Sequence, residues 1–294
     1  MPEITSRFFS AADGMQLHAL EAGPNDRARL PAICLPGLAR TSEDFRVLIE
    51  ALASDRERPR RVLALDSRGR GRSEYDRNPD NYSVPVELGD VMRLLDEFNI
   101  ARAVFIGTSR GGILSMSLAM ARRQAIAGVV LNDIGPLLEM RGLMRIKGYV
   151  GKMAPPASYK DAVRILKGAM GDQFPAWSEA TWEQYAGLTW KEENGRLVTR
   201  YDSALSNALA NVDPYTPAPA MWPQFDALAG SPVMVIRGEH SDLLSRETVR
   251  DMKFRRPDLV AIEIAGQGHA PLLTGPETIE PIRDFVARCD ALQA

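Results

Sequence analysis

The chain has 294 residues, 45% hydrophobic and 25% charged, with a formal net charge of −2. That make-up fits a globular core of good size, with room for an inserted lobe, and gives no electrostatic reason to expect nucleic acid or an anionic membrane as partner. No apolar run approaches the roughly 18 residues of a membrane span, and "MPEITSRFFSAADG" lacks the basic start and apolar stretch of a secretory signal, so a cytoplasmic location is expected.

Two alternating segments come first, 4–9 and 15–21, separated by a tight turn at Asp13–Gly14. They read as an antiparallel hairpin at a sheet edge. From there the β-rich runs at 31–35, 61–65, 103–107, 126–131, 232–237 and 259–265 are apolar almost without interruption. Strands covered on both faces have that pattern, which points to a parallel sheet. Helical segments fall between them at 42–54 (with Ser42 as N-cap), 84–99, 110–123, 245–256 and 277–289. In the second of these, Leu88, Val91, Leu94, Leu95 and Phe98 recur at helical spacing. Strand alternating with helix defines an α/β class with a mostly parallel sheet. The one dense basic run, "RERPRR" at 56–61, reads as a solvated loop.

One connection breaks the rhythm. About a hundred residues separate the strand at 126–131 from that at 232–237, where a crossover needs about a dozen. Amphipathic helical patterns dominate this stretch, with a hairpin expected around Asn194–Gly195. It holds all four tryptophans. A helical lid over 136–222 is expected, set into a core made of 1–135 and 223–294.

The decisive motif is "AVFIGTSRGG", in which Gly107-Thr108-Ser109-Arg110-Gly111 fits G-x-S-x-G with a strand before it and a helix after it. Such a turn is sharp enough to need glycine two residues to either side, and it lifts the serine hydroxyl above the carboxyl edge of the sheet. A hydroxyl is inert until a base takes its proton. Of the three histidines, His18 is explained by the edge hairpin and His240 shapes a loop. His269, in "GQGHAPLL" after the last strand, is the candidate base. An acid must then fix the imidazole. Asp242 in "RGEHSDLLS" leads, with Asp133 in "LNDIGP" and Glu239 as rivals. The oxyanion donors expected are the backbone N–H of Arg110 and of Leu38 in "CLPGLART", since Pro36 cannot donate.

"LPGLARTSEDF", "LALDSRGRGRSEYD", "FIGTSRGG", "LNDIGP", "VIRGEHSDLLS" and "GQGHAPLL" together resemble the α/β-hydrolase superfamily, over nearly the whole chain outside the lid. The resemblance implies an eight-stranded sheet, a lid between strands six and seven, and kinship with esterases, enol-lactonases and carbon–carbon bond hydrolases. "DSRGRGRS" is similar to the family's structural D-x-R-G-x-G-x-S loop, whereas Pro36 stands where many relatives carry histidine. Dehalogenases and epoxide hydrolases of the fold carry aspartate at the position of Ser109. The leading expectation is therefore a serine carboxylesterase acting through an acyl-enzyme on small to medium, largely apolar esters. Carbon–carbon hydrolysis, with Arg141, Arg145 or Arg200 holding an acid, acyl transfer or perhydrolysis, and a non-catalytic receptor are the alternatives. Met140, Leu143, Met144 and Trp222 are candidate substrate contacts. No cofactor or metal is expected: "DSRGRGRSE" fails the dinucleotide fingerprint at Glu74, and Cys34 and Cys289 lack ligand spacing. The expected partner is a small-molecule ester, to a monomer or homodimer.

Overall fold

The computed structural model describes residues 2–26 and 28–292. In chain order the first elements are β1 (Thr5–Ser10), β2 (Gln16–Ala22), β3 (Ala32–Leu35), α1 (Arg46–Ala53), β4 (Val62–Asp66), α2 (Val84–Glu97), β5 (Ala103–Thr108), α3 (Arg110–Ala121) and β6 (Ile126–Asn132). An insertion follows, with α4 (Met140–Tyr149), α5 (Tyr159–Met170), α6 (Glu179–Thr189), β7 (Trp190–Glu193), β8 (Arg196–Thr199) and α7 (Trp222–Asp226). The chain returns through β9 (Val233–Gly238), α8 (Arg246–Arg255), β10 (Val260–Ile264) and α9 (Pro276–Ala291).

Eight strands form one sheet in the order β1-β2-β4-β3-β5-β6-β9-β10. The β1–β2 and β2–β4 pairs are antiparallel and the remaining pairs are parallel. Alternation explains the continuous apolar runs. Ile33, Leu63, Phe105, Val129 and Val235 face α2 and α3, through Val91, Leu94, Leu114 and Leu118. Cys34, Ala64, Val104, Val130 and Ile236 face α1 and α9, through Leu48, Ile49, Ile282 and Phe285. Both faces of the central strands are thus covered, while the edge strands β1 and β10 stay largely exposed or half-buried, and the fold is the mostly parallel α/β sheet expected. The inserted helices lie between the sixth and seventh strands of this sheet, β6 and β9.

Two local expectations change. Ser42 does not cap α1, which starts at Arg46 with Phe45 in the cap position; Ser42 opens a short 3-10 turn after Thr41, and its N–H donates to Asp66 Oδ1 at 2.7 Å. In "RERPRR", Arg56 and Arg58 are exposed, but Arg60 is buried and paired with Asp290 at 3.0 Å. His18 is also fully buried, with Nδ1 2.7 Å from Asp66 Oδ2. Cys34 and Cys289 are both buried and free, and burial pushes both thiols up.

The insertion carries a core of its own, in which Leu166, Phe174, Trp182 and Trp190 pack together. β7 and β8 form the expected hairpin. Asn194 and Gly195 both take positive φ, 52 and 72, as a two-residue mirror-image turn demands. Its ends are drawn together by the Met221 N–H, which donates to the Pro136 carbonyl at 2.7 Å. Its body is stitched to the loop after β4, where Gly71 N–H donates to Arg200 O at 2.7 Å and Asp202 N–H to Gly69 O at 2.8 Å.

Candidate active site

A single residue turns the chain from β5 into α3. Ser109 takes φ 49 and ψ −110, a conformation that L-residues adopt only at a cost and that persists where the surroundings fix it. The turn is so tight that a Cβ on Gly107 would lie 2.4 Å from the Gly111 carbonyl carbon, and one on Gly111 would lie 1.9 Å from Leu35 O. Glycine is therefore required at both places. The Ser109 N–H donates to Asn132 O at 3.0 Å, which holds the turn against the end of β6.

The loop after β10 brings His269 over this turn, with Nε2 2.9 Å from Ser109 Oγ. The imidazole is mostly buried, and its backbone N–H donates to Gln173 Oε1 of the insertion at 3.2 Å. Its Nδ1 lies 2.8 Å from Asp133 Oδ2. Asp133 is fully buried at the end of β6. Its N–H continues the ladder to Ile236 O at 2.7 Å, and its positive φ of 54 turns the carboxylate over the sheet edge. The Gly238 N–H and the Ser241 hydroxyl also donate to this carboxylate, at 2.7 and 2.5 Å.

Asp242, the leading acid from sequence, is not brought to His269; Asp133 stands there in its place. The Asp242 carboxylate accepts Arg145 Nε and Nη2 at 2.6 and 2.8 Å, a side-on fork from α4, and its carbonyl accepts the Gly142 N–H at 2.8 Å. A guanidinium fork satisfies the carboxylate and points it at the insertion, so Asp242 fastens α4 to the core. Arg145 is correspondingly raised: burial works against its charge, but Asp242 outweighs it. The other rival, Glu239, accepts the Gly266 N–H at 2.8 Å, and His240 is half-exposed beside it.

Leu38 lies on the loop after β3 and lines the same cavity as Ser109, and Arg110 opens α3 directly after Ser109. Arg40 N–H donates to Gly37 O at 3.2 Å, closing the first loop. Arg70 Nε donates to Leu38 O at 2.8 Å and ties that loop to the turn after β4. Behind them lies buried Glu87, whose carboxylate is 2.9 Å from both Arg70 Nη2 and Arg110 Nε. Burial pushes the Glu87 carboxyl up, but the two guanidinium groups outweigh it and hold it below the usual range. A depressed folded-state value contributes stability above the unfolded value of about 4.3, lost as pH falls through the folded one. Replacing Glu87 by glutamine is thus expected to cost about 3–5 kcal/mol near pH 7. In urea melts that gap should shrink once the pH drops below about 4, and a gap constant with pH would contradict this account.

A cavity of about 100 Å³ opens directly onto Ser109 and His269. Its walls differ from those expected. Met140, Leu143, Met144 and Trp222 do not line it; Ile146, Val150, Met153, Leu166 and Met170 do, joined by Arg40, Tyr149, Tyr185 and Tyr201. The reason is helical phase: Leu143 is buried against the core, and Trp222 packs on Phe225 under Arg255. Of the lid arginines, Arg200 is engaged with Gly187 O at 3.0 Å and Arg141 is exposed. Arg40 lies in "LPGLART", where the sequence pattern gives it no role, and nothing but helical periodicity marks Tyr149 and Tyr185.

A strand–serine–helix elbow under a helical insertion, at the carboxyl edge of an eight-stranded sheet, defines a hydrolase of the esterase type. The chain belongs to the alpha/beta hydrolase family, whose pattern it matches over residues 32–282. It is 32% identical to a 3-hydroxybutyrate-oligomer hydrolase of Cupriavidus necator, covering 84% of this chain and 85% of that one. The crystal structure of an alpha/beta hydrolase from Novosphingobium aromaticivorans superposes with a TM-score of 0.88 at 39% identity, covering 98% of this chain and 99% of that one. An E-2-(acetamidomethylene)succinate hydrolase shares the fold, with a TM-score of 0.80 at 23% identity over 97% of this chain and 100% of its own. Among the described residues no helix is long and apolar enough to cross a membrane, and no cluster of metal-ligating side chains occurs.

Proposed function

We propose that the protein hydrolyses carboxylic esters through a Ser109 acyl-enzyme, with residues 136–222 as a lid on the 1–135 and 223–294 core. The observation that carries this reading is the unbroken relay on the cavity floor, Ser109 Oγ to His269 Nε2 at 2.9 Å and His269 Nδ1 to Asp133 at 2.8 Å. His269 takes the hydroxyl proton as Ser109 attacks the ester carbonyl, and Asp133 supports the imidazolium. The tetrahedral oxyanion is received by the N–H groups of Leu38 and Arg110. His269 then protonates the departing alcohol and activates the water that releases the acid. The aliphatic side chains around the cavity suit a short to medium acyl chain. The name of the Cupriavidus relative, a 3-hydroxybutyrate-oligomer hydrolase, adds oligoesters of short hydroxy acids to the substrates worth testing.

The test is a stopped-flow panel of p-nitrophenyl esters graded by acyl length, with a dienol-ketone included. A burst of about one nitrophenolate per chain is expected with short and medium acyl groups. Faster cleavage of the dienol-ketone than of any ester would replace this reading with carbon–carbon hydrolysis.

A further inference from the structure

We infer that Arg40, with Tyr149 and Tyr185, forms a carboxylate-binding end of the Ser109 cavity, so that the preferred esters carry a free carboxylate a few bonds from the scissile carbonyl. This rests on the ester-hydrolase reading above and names its substrate class. It departs from the small to medium, largely apolar esters expected from the sequence.

Arg40 lines the cavity. Its stem is close to the nucleophile: Arg40 Cγ and Ser109 Cβ lie 3.3 and 3.9 Å from one point, where a Cβ on Gly37 would stand. The guanidinium is held from three directions. Nε and Nη2 donate side-on to Asp44 at 2.7 Å each, Nη1 donates to Thr189 Oγ1 at 2.8 Å, and the group lies 4.1 Å over the Tyr185 ring. An arginine has five N–H donors, so two are left over after those bonds.

The phenols of Tyr149 and Tyr185 line the same cavity. Burial raises both, Tyr185 to about 12, so each keeps its O–H as a donor at neutral pH. The cationic partner also keeps its proton, because burial opposes the Arg40 charge but Asp44 outweighs it. This end of the cavity therefore presents donors, while the one carboxylate beside it, Asp44, is already forked by Arg40. Such a set recognises an acceptor-only group, and in a partly dry cavity a planar carboxylate is the strongest partner for it.

The pre-existing Asp44 pair does not use up the arginine. Arg68 of this same chain holds Asp90 through Nε at 2.7 Å and also reaches Asp13 and Asp76 through Nη1, at 2.9 and 2.6 Å. One guanidinium fixed side-on by one carboxylate thus accepts another. Asp44 keeps Arg40 from being an unpaired buried cation when the cavity is empty, and it aims the remaining N–H groups.

The test compares 3-(butyryloxy)butanoate with its carboxamide, 3-(butyryloxy)butanamide, which is neutral and has the same single ester. p-Nitrophenyl butyrate serves as the general ester probe. Wild type is expected to favour the acid over the amide by about tenfold to hundredfold in kcat/KM, mainly through KM, the range of a charge-assisted hydrogen bond. Arg40→Met should erase that preference, and Tyr185→Phe, which keeps the ring under the guanidinium, should reduce it severalfold. Equal cleavage of acid and amide by wild type overturns the carboxylate end while leaving the ester reading standing, as does an acid-to-amide ratio unchanged in both variants. No cleavage of any of the three esters sinks the ester reading itself.

Discussion

Replacing Asp133 by asparagine is expected to lower kcat by about 10⁴-fold, whereas replacing Asp242 by asparagine should leave kcat within about threefold of wild type. The first effect follows from the tautomer. Asp133 Oδ2 accepts the proton on His269 Nδ1, which leaves Nε2 bare and facing Ser109 Oγ. The Gly238 N–H needs an acceptor on residue 133, so an asparagine keeps its carbonyl there and turns its amide nitrogen toward the imidazole. The imidazole must then carry its proton on Nε2, where it can no longer take one from the serine. Asp242→Asn breaks half of the Arg145 fork; its cost falls on stability, about 1–3 kcal/mol for a hydrogen bond to a charged group. Steady-state rates and thermal midpoints of the two variants separate the cases, and the reverse ranking would return Asp242 to the relay.

Ser109→Ala is expected to abolish the acyl-enzyme burst and to lower kcat by about 10⁴-fold or more. The elbow itself should survive, because the turn is held by backbone. Ser109 N–H reaches Asn132 O, and Gly112 N–H reaches Ser109 O at 2.9 Å. Residual hydrolysis at about 10³-fold over water is compatible with the oxyanion donors acting alone. Wild-type turnover in the alanine variant, with the thermal midpoint unchanged, would mean that ester cleavage does not pass through residue 109.

The elements that were legible in the sequence are those fixed by short-range physics. Continuous apolar runs marked the strands that α1, α9, α2 and α3 cover from both sides. Glycine at 107 and 111 announced an approach of backbone to backbone that no side chain could survive. The hairpin at Asn194–Gly195 came from the only residue types that take positive φ there at little cost. His269 could be picked because the chain holds so few histidines and only one sits in a glycine-flanked loop after the last strand.

The choice of acid was of another kind. Asp133 and Asp242 both lie between Ser109 and His269 in the chain, so the order serine, aspartate, histidine fits either. What separates them is one side-chain partner each, Arg145 for Asp242 and the imidazole for Asp133, and those partners come from segments about a hundred residues away or more. The walls of the cavity were hidden for the same reason. Periodicity shows that α4 has an apolar stripe, but Leu143 and Ile146 share it and both join the core, and only the docking of the insertion brings Ile146 to the cavity wall as well. By itself, then, the sequence determined the sheet, the elbow, its serine and the histidine that meets it, because each depends on local backbone geometry or on a residue type too scarce to misplace. Which carboxylate meets the imidazole, and which side chains line the cavity, only the tertiary structure decided, because both depend on groups brought together from distant segments.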